Sequence, residues 1–256
     1  MILTIAAKEL KALFASPLAW IVLALMQFVV GLSFLQAFDA FTQLQPQFIQ
    51  MPNPPGFTSQ IAAPVYITIV GILLFAAPLL AMRLIAEERR NQTMVLLISA
   101  PLSISEIVLG KFLGLMLFLL LAIGTLTLMP LALVFGGHLD FGLLASLLIG
   151  TVLLTAGFVA VGLYASSLTA QPIIAALIGF GLLVVMFLLL GFAVDALRDH
   201  GWEMAADLAQ VLSPLKNFEP FARGVFDSYS AVCSLLLIIV FLLLTIRRLD
   251  AARLGA

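Results

Sequence analysis

Seven of the 25 charged side chains of this 256-residue chain lie in one short stretch between two long apolar runs. Residues 83–111 read RLIAEERRNQTMVLLISAPLSISEIVLGK. The charged members are Arg83, Glu87, Glu88, Arg89, Arg90, Glu106 and Lys111. Such a stretch could supply catalytic carboxylates, or it could form a surface of both charge signs on which another protein docks.

The adjacent pair Glu87 and Glu88 is the strongest candidate for catalysis. It is similar to the start of the EExxxR motif of intramembrane CAAX-type proteases. However, position 92 is Gln instead of Arg, and none of the long apolar runs contains a histidine that could complete such a site. The sequence therefore favours docking over catalysis for this stretch.

Other catalytic and metal-binding motifs are incomplete. Gly110-Lys111 lacks the leading glycine and the Ser or Thr of a P-loop, so we expect this chain not to bind ATP in that way. His138 and His200 lie in different segments without the spacing of metal ligands. We expect no catalytic residue and no metal site.

The composition is that of a membrane protein. Hydrophobic residues make up 63% of the chain, charged residues make up 10%, and the mean hydropathy is +1.22. Apolar runs of about 20 residues are long enough to cross a bilayer as helices. The sequence predicts an all-α integral membrane protein, a single domain over residues 1–256, with spans at about 18–38, 64–82, 107–135, 141–166, 172–194 and 231–246. We expect the first span to be retained as an anchor.

The distribution of Lys and Arg predicts the orientation. Nine of the twelve lie on the side of the two termini: Lys8, Lys11, Arg83, Arg89, Arg90, Lys111, Arg247, Arg248 and Arg253. The other three, Arg198, Lys216 and Arg223, lie on the opposite side. Because basic residues are retained on the cytoplasmic side, we expect both termini and residues 83–106 to be cytoplasmic.

The connections between the spans have distinct predicted forms. Residues 1–16 have the pattern of an interfacial amphipathic helix, and Ser16-Pro17 should break it before the first span. Residues 36–63 are predicted as an outside loop, and 136–140 and 168–171 as tight turns. Within the extracytoplasmic segment 195–230, residues 198–212 are predicted as one interfacial helix anchored by Trp202.

The middles of the predicted spans contain no ionisable residue. Carriers that couple transport to ions or protons usually keep such groups at mid-depth, because a charge there is costly and is retained for function. The apolar interior argues against a proton-coupled carrier and against a charged pore.

The charged stretch resembles a family signature. The residues AEERR at 86–90, TMVLL at 93–97, APLS at 100–103 and EIVLGK at 106–111 are similar to the E-E-[RK]-x-x-G-T-x-x-x-L-L-x-x-P-[IV]-S … E-I-[VL]-x-G-K signature of ABC-2 type transporter permeases. Gln92 replaces the usual glycine. Because a helix tolerates Gln better than Gly, we expect the helix to continue through this position.

A second stretch resembles a subfamily. Residues 212–227, LSPLKNFEPFARGVFD, are similar to the L-S-P-x-x-H-F-x-x-F-x-R-G-V-I-D element of Gld-type permeases, named for gliding motility and related to permeases of nitrous-oxide-reductase maturation. Asn217 replaces the frequent histidine. The entry from Lys8 to Trp20 also fits the family, so the resemblance covers essentially the whole chain.

The resemblance implies an architecture and two functional surfaces. It implies a type V exporter-like permease with cytoplasmic termini in the bacterial inner membrane, paired with a second permease and with ABC ATPase subunits that hold ATP and Mg. The implied ATPase-coupling residues are Arg83, Glu87, Glu88, Arg89, Arg90, Thr93, Leu96, Leu97 and Pro101. A possible extracytoplasmic gate contains Pro214, Phe218, Phe221, Arg223 and Gly224.

Three functions stay open on the sequence. The chain could be a permease subunit that couples ATP hydrolysis to export. It could instead transmit ATP-driven motion to a periplasmic accessory protein without moving cargo, or it could be a membrane scaffold without any ATPase. In each case the partners are proteins and membrane lipid, with no nucleic acid.

Overall fold

The computed structural model of the chain describes residues 1–48, 56–93, 103–135 and 139–254, and every regular element in these ranges is helical. The α-helices are α1 Ile2–Ala15, α2 Pro17–Phe48, α3 Phe57–Arg90, α4 Ile104–Leu131, α5 Phe141–Leu168, α6 Pro172–Val184, α7 Leu190–Asp199, α8 Glu203–Val211, α9 Pro214–Ala222 and α10 Ser228–Leu254. A 3-10 turn, Ala132–Phe135, extends α4, and a π-helical stretch, Val185–Leu189, joins α6 to α7.

Six helical stretches are long and apolar enough to cross a membrane, which confirms the predicted all-α, six-span fold. They are Pro17–Pro46, Phe57–Arg90, Ile104–Val134, Phe141–Leu168, Pro172–Asp199 and Ser228–Ala251. The predicted loop at 36–63 is wrong over most of its length, because α2 continues to Phe48 and α3 already begins at Phe57. Residues 49–55, and 136–138 of the predicted turn at 136–140, lie outside the described residues.

Two predicted features between helices had opposite outcomes. The break after α1 is confirmed: Ser16 has an extended backbone (φ −87°, ψ 125°), and Pro17 is the first residue of α2. The single interfacial helix predicted for residues 198–212 is wrong. The backbone turns at Gly201, which has a φ of +75°. As a result, α7 ends at Asp199 and α8 starts at Glu203. Glycine adopts this backbone conformation without strain.

The helices α3 and α5 form the centre of the bundle, and the other spans surround them. Tyr66 of α3 is fully buried and donates a hydrogen bond from its hydroxyl to Thr127 Oγ1 of α4 over 3.0 Å. By contrast, α2, α6 and α10 leave large apolar side chains exposed, among them Phe28, Leu177 and Leu243. Exposed apolar faces of spanning helices are what contact with lipid tails requires.

The two ends of the bundle carry different elements. One end, here called the terminal face, carries α1, the last turns of α3 and α10, and the first turns of α4 and α6. The other end, the opposite face, carries α7, α8 and α9. The described residues of 83–111 and the segment 212–227 therefore lie at different ends of the molecule.

Candidate functional site

The charged residues that follow the second apolar run form the last two turns of α3 at the terminal face. Arg83, Glu87 and Arg90 are exposed, whereas Glu88 and Arg89 are half-buried. Arg89 and Arg90 occupy the last turn, where the helix dipole favours positive charge. Arg83 Nη1 donates a hydrogen bond to Ser16 Oγ over 3.2 Å, which connects α3 to the junction of α1 and α2.

The helix α3 ends at Arg90, so the prediction that it continues through Gln92 is wrong. The backbone N–H of Asn91 donates to the carbonyl of Glu87 over 2.9 Å, and Gln92 has a φ of 57°. This left-handed conformation costs a residue with a side chain roughly 1 kcal/mol. Glycine is the residue that commonly ends helices in this way, which explains why the resembling signature has glycine here.

A buried lysine holds the charged end of α3 in place. Lys111 of α4 is 1% exposed, and its Nζ lies 2.9 Å from Glu9 Oε1 of α1 and 2.7 Å from Glu88 Oε1 of α3. Lys8 Nζ adds weaker contacts to the same two oxygens at 3.8 and 3.9 Å. A lysine is rarely buried unless it is paired. We call Glu9, Glu88 and Lys111 the ion triad.

Two glycines bring α1 close enough to form the ion triad. A Cβ at Gly110 would lie 2.6 Å from Ile5 Cβ, and a Cβ at Gly114 would lie 2.7 Å from Glu9 Cβ. Atoms do not pack at such distances, so α1 can lie here only because α4 has no side chain at either position. The pair brackets Lys111, which places its side chain against Glu9.

The start of α4 is fixed by a complete capping box. Ser103 Oγ accepts a hydrogen bond from the N–H of Glu106 over 3.2 Å, and Glu106 Oε2 accepts one from the N–H of Ser103 over 3.1 Å. Each bond satisfies a backbone donor that the first turn of a helix leaves free. The cap sets where α4 begins and, two turns later, where Lys111 lies.

A serine of α5 is bonded directly to the backbone of α3. Ser166 Oγ accepts hydrogen bonds from the N–H groups of Ile85 (3.1 Å) and Ala86 (3.0 Å), and it donates one to the carbonyl of Met82 (2.9 Å). Ser166 is fully buried. The contact lies one turn before Glu88, so α5 is tied to α3 beside the ion triad.

At the opposite face, the segment with the predicted gate residues forms the short helix α9. Pro214 is its first residue, and Gly224, with a φ of +81°, follows its end. Phe218 and Phe221 are buried against α5, where a Cβ at Gly150 would lie only 2.5 Å from Phe221 Cβ. The helix α9 therefore lies directly on the backbone of α5.

One ion pair joins α9 to α7, and two more connect residues of α9 and its C-terminal end. Lys216 Nζ lies 2.7 Å from Asp195 Oδ2 and 3.3 Å from Glu219 Oε2, while Arg223 Nη2 lies 2.7 Å from Glu219 Oε1. Partial burial alone would lower the pKa of Lys216. The hydrogen bonds to Asp195 and Glu219 outweigh that effect and raise the pKa, so Lys216 stays charged.

Asn217 of α9 is buried without hydrogen-bond partners. It is 1% exposed, and neither its amide nitrogen nor its oxygen has a partner among the described residues. It borders a small cavity of about 10 Å³, together with Gly157 and Ser234. An unsatisfied buried polar group costs about 1–3 kcal/mol, so the packing of α9 carries an unfavourable contribution at this residue.

The family of the chain follows from a match over almost its whole length. A family model described as ABC-2 family transporter protein matches residues 3–254. The chain belongs to the ABC-2 transporter family. It is therefore a multi-pass membrane permease subunit, from a family that works with an ABC ATPase and usually with a second permease. No curated protein sequence matches the permease.

The permease brings some of the predicted coupling residues together and separates others. Glu88 points inward to the ion triad, whereas Glu87 and Arg90 remain exposed at the end of α3. Thr93 is exposed beyond the helix end. Leu96, Leu97 and Pro101 lie outside the described residues. Within the described parts of the chain, no three His, Cys, Asp or Glu residues are grouped as metal ligands.

Sequence reasoning missed two parts of this site, Glu9 with its partners and Ser166. Glu9 lies within the predicted amphipathic helix at residues 1–16 and Lys111 ends the signature-like motif EIVLGK, and neither pattern indicates that the two side chains meet. The spacing of Gly110 and Gly114 was an available signal, because two small residues four apart are typical of a close helix–helix contact. Nothing in the sequence distinguishes Ser166 from the other hydroxyl residues of the spans.

Proposed function

We propose that the permease docks a separate ABC ATPase subunit at the terminal face. The coupling surface consists of the exposed residues at the end of α3 and the segment that leads to α4, residues 83–106. The observation that carries the proposal is an exposed helix end of both charge signs, Glu87 and Arg90, on a base fixed by the buried Lys111. ATP and Mg bind to the ATPase, and this chain binds neither.

The internal contacts support a mechanical role for this surface. A force on an isolated helix end would mainly bend that end. Here the ion triad ties α3 to α1 and α4, and Ser166 ties α3 to α5. A displacement at Glu87 or Arg90 is thus shared by four helices, as a rigid-body switching transition requires.

The charge distribution supports an assignment of sides. Nine of the twelve Lys and Arg residues belong to the terminal face by sequence, and this face is cytoplasmic under the positive-inside rule. We place the permease in the bacterial inner membrane, with its docking surface in the cytoplasm. It works with a second permease, either another copy or a related chain.

The opposite face supports a gate that responds to this motion. The segment 212–227 resembles the Gld-type element, and in the proposed mechanism α9 is the moving part. Pro214 and Gly224 define its ends, Phe218 and Phe221 seal it against α5, and Arg223 fixes its surface through Glu219. Lifting α9 during export would expose Asn217 to water and relieve its unsatisfied amide.

A second candidate function is transmission of force to a periplasmic accessory protein. The observation that favours it is the apolar surface of α8, where Met204 and Leu208 are 82% and 67% exposed next to Trp202. Motion of α9 would reach this surface through α7 and α8. Binding of a periplasmic protein without any cargo flux would favour this candidate over export.

Charge reversal at the coupling surface tests the proposed docking. We expect Glu87→Arg combined with Arg90→Glu to reduce the amount of ATPase chain that co-purifies from the native membrane, and to reduce hydrolysis by the complex. Asp250→Arg is the matched control, because Asp250 is exposed on α10 at the same face. If no ATPase co-purifies with the wild-type permease, the docking proposal fails and a scaffold role gains support.

A further inference from the structure

A cleft with excess positive charge opens at the terminal face, between the end of α3 and the start of α6. Its volume is about 840 Å³. The lining residues with side-chain charge are Arg83, Glu87, Arg89 and Arg90, and the α6 side contributes Gln171, Pro172 and Ile173. Three arginines against one glutamate leave a net charge of +2 in the lining, which favours an anion. We call this the arginine cleft.

The three arginines that line this cleft, Arg83, Arg89 and Arg90, form no ion pair with any described residue. The opposite face is different, because Arg198, Lys216 and Arg223 are each paired with a carboxylate.

Apolar side chains continue from the arginines into the membrane span. On α6, Ile173 and Leu177 are 73% and 66% exposed and lie four residues apart, on one face of the helix. A ligand for this surface therefore needs an anionic group joined to an apolar chain.

We propose that the arginine cleft binds an anionic phospholipid of the leaflet at the terminal face. The phosphate lies against Arg89, and an acyl chain follows Ile173 and Leu177 along α6. A water-soluble protein could reach the arginines. It could not cover Leu177, which lies more than one helical turn further into a span.

The arginine cleft includes Glu87 and Arg90 of the coupling surface, but the proposed phosphate contact, Arg89, is distinct from these two docking residues. Met82, Ala86 and Arg89 share one side of α3, and the first two pack against Ala175 of α6. Arg89 is thus directed to the α6 side, while Glu87 and Arg90 are exposed at the helix end. A bound phospholipid would neutralise Arg89 and attach the end of α3 to the membrane surface.

Lipid titration of the purified full-length chain tests the proposal. Phosphatidylglycerol and phosphatidylcholine are added separately to the protein in detergent, and bound lipids are counted by native mass spectrometry. Each arginine near an anionic lipid contributes a factor of roughly five in affinity. We expect Arg89→Gln to weaken phosphatidylglycerol binding roughly fivefold and to leave phosphatidylcholine binding unchanged.

Two further variants separate a lost site from a lost fold. Lys11→Gln removes one exposed positive charge from the same face but away from the cleft, and it should bind both lipids as the wild type does. Arg89→Lys keeps the charge and should retain most of the preference for phosphatidylglycerol. Equal binding of the two lipids by the wild type would overturn the proposal, as would an unchanged preference in the Gln variant. If the Gln variant lost a co-purifying protein while its lipid binding stayed unchanged, that result would also overturn the proposal.

Discussion

Replacing Lys111 by methionine is the sharpest test of the buried ion triad. Methionine has a similar volume but no charge, so Lys111→Met leaves the carboxylates of Glu9 and Glu88 buried without their main partner. Breaking a buried ion pair from one side typically costs about 3–5 kcal/mol. The carboxylate side chains are 11% and 15% exposed, and Lys8 lies 3.8 and 3.9 Å from them. We therefore expect the lower value, about 3 kcal/mol.

The expected loss of unfolding free energy is large enough to measure as a change in melting temperature. For a chain of this size, 1 kcal/mol corresponds to roughly 2–4 °C, so Lys111→Met should melt about 6–12 °C below the wild type in detergent. The triple variant Glu9→Gln/Lys111→Met/Glu88→Gln has no buried charge left. Since neutral replacement of a whole buried ion pair is often nearly neutral, this variant should recover most of the loss.

The controls define what would refute this reasoning. Lys11→Met is the matched change at an exposed lysine of α1 without an ion pair among the described residues, and it should melt within about 2 °C of the wild type. If Lys111→Met were as stable as Lys11→Met, the triad would not hold α1 to α3. A triple variant as unstable as the single variant would show that packing around Lys111 matters more than its charge.

Three other predictions follow from single contacts. Gln92→Gly should stabilise the permease by up to about 1 kcal/mol, measured as a rise in melting temperature, because glycine accepts the positive φ at this helix end; no rise would contradict the assigned φ. Ser166→Ala should lower the melting temperature by the equivalent of about 1–2 kcal/mol, since it removes three buried hydrogen bonds, whereas Ser228→Ala at an exposed position should not. A hydrogen bond from Ser230 Oγ lowers the pKa of Asp227. The ionised Asp227 carboxylate therefore contributes stability that is present above about pH 4 and is lost as the pH falls through the folded-state pKa. Asp227→Asn should reduce the drop in melting temperature between about pH 5 and pH 3.

The sequence alone predicts the spans, but it does not predict the contacts at their ends. Apolar runs and the Ser16-Pro17 break are local signals, so the six-span fold and the end of α1 could be predicted. The ion triad depends on Glu9 and Lys111, which are 102 positions apart, and no local pattern shows that such residues meet. Gln92 shows a different limit: helix propensity favours Gln over Gly inside a helix, but the backbone at this position has already left the helix.

Because Lys111 is buried, its acylation can report when the helices at the terminal face separate. An amine-reactive acylating reagent should label Lys8, whose side chain is 63% exposed, and should spare Lys111, which is 1% exposed. Acylation of Lys111 would then occur only while α1 is separated from α3 and α4. The ratio of label at these two lysines, read by peptide mass spectrometry during a transport cycle, would measure how often the terminal face opens.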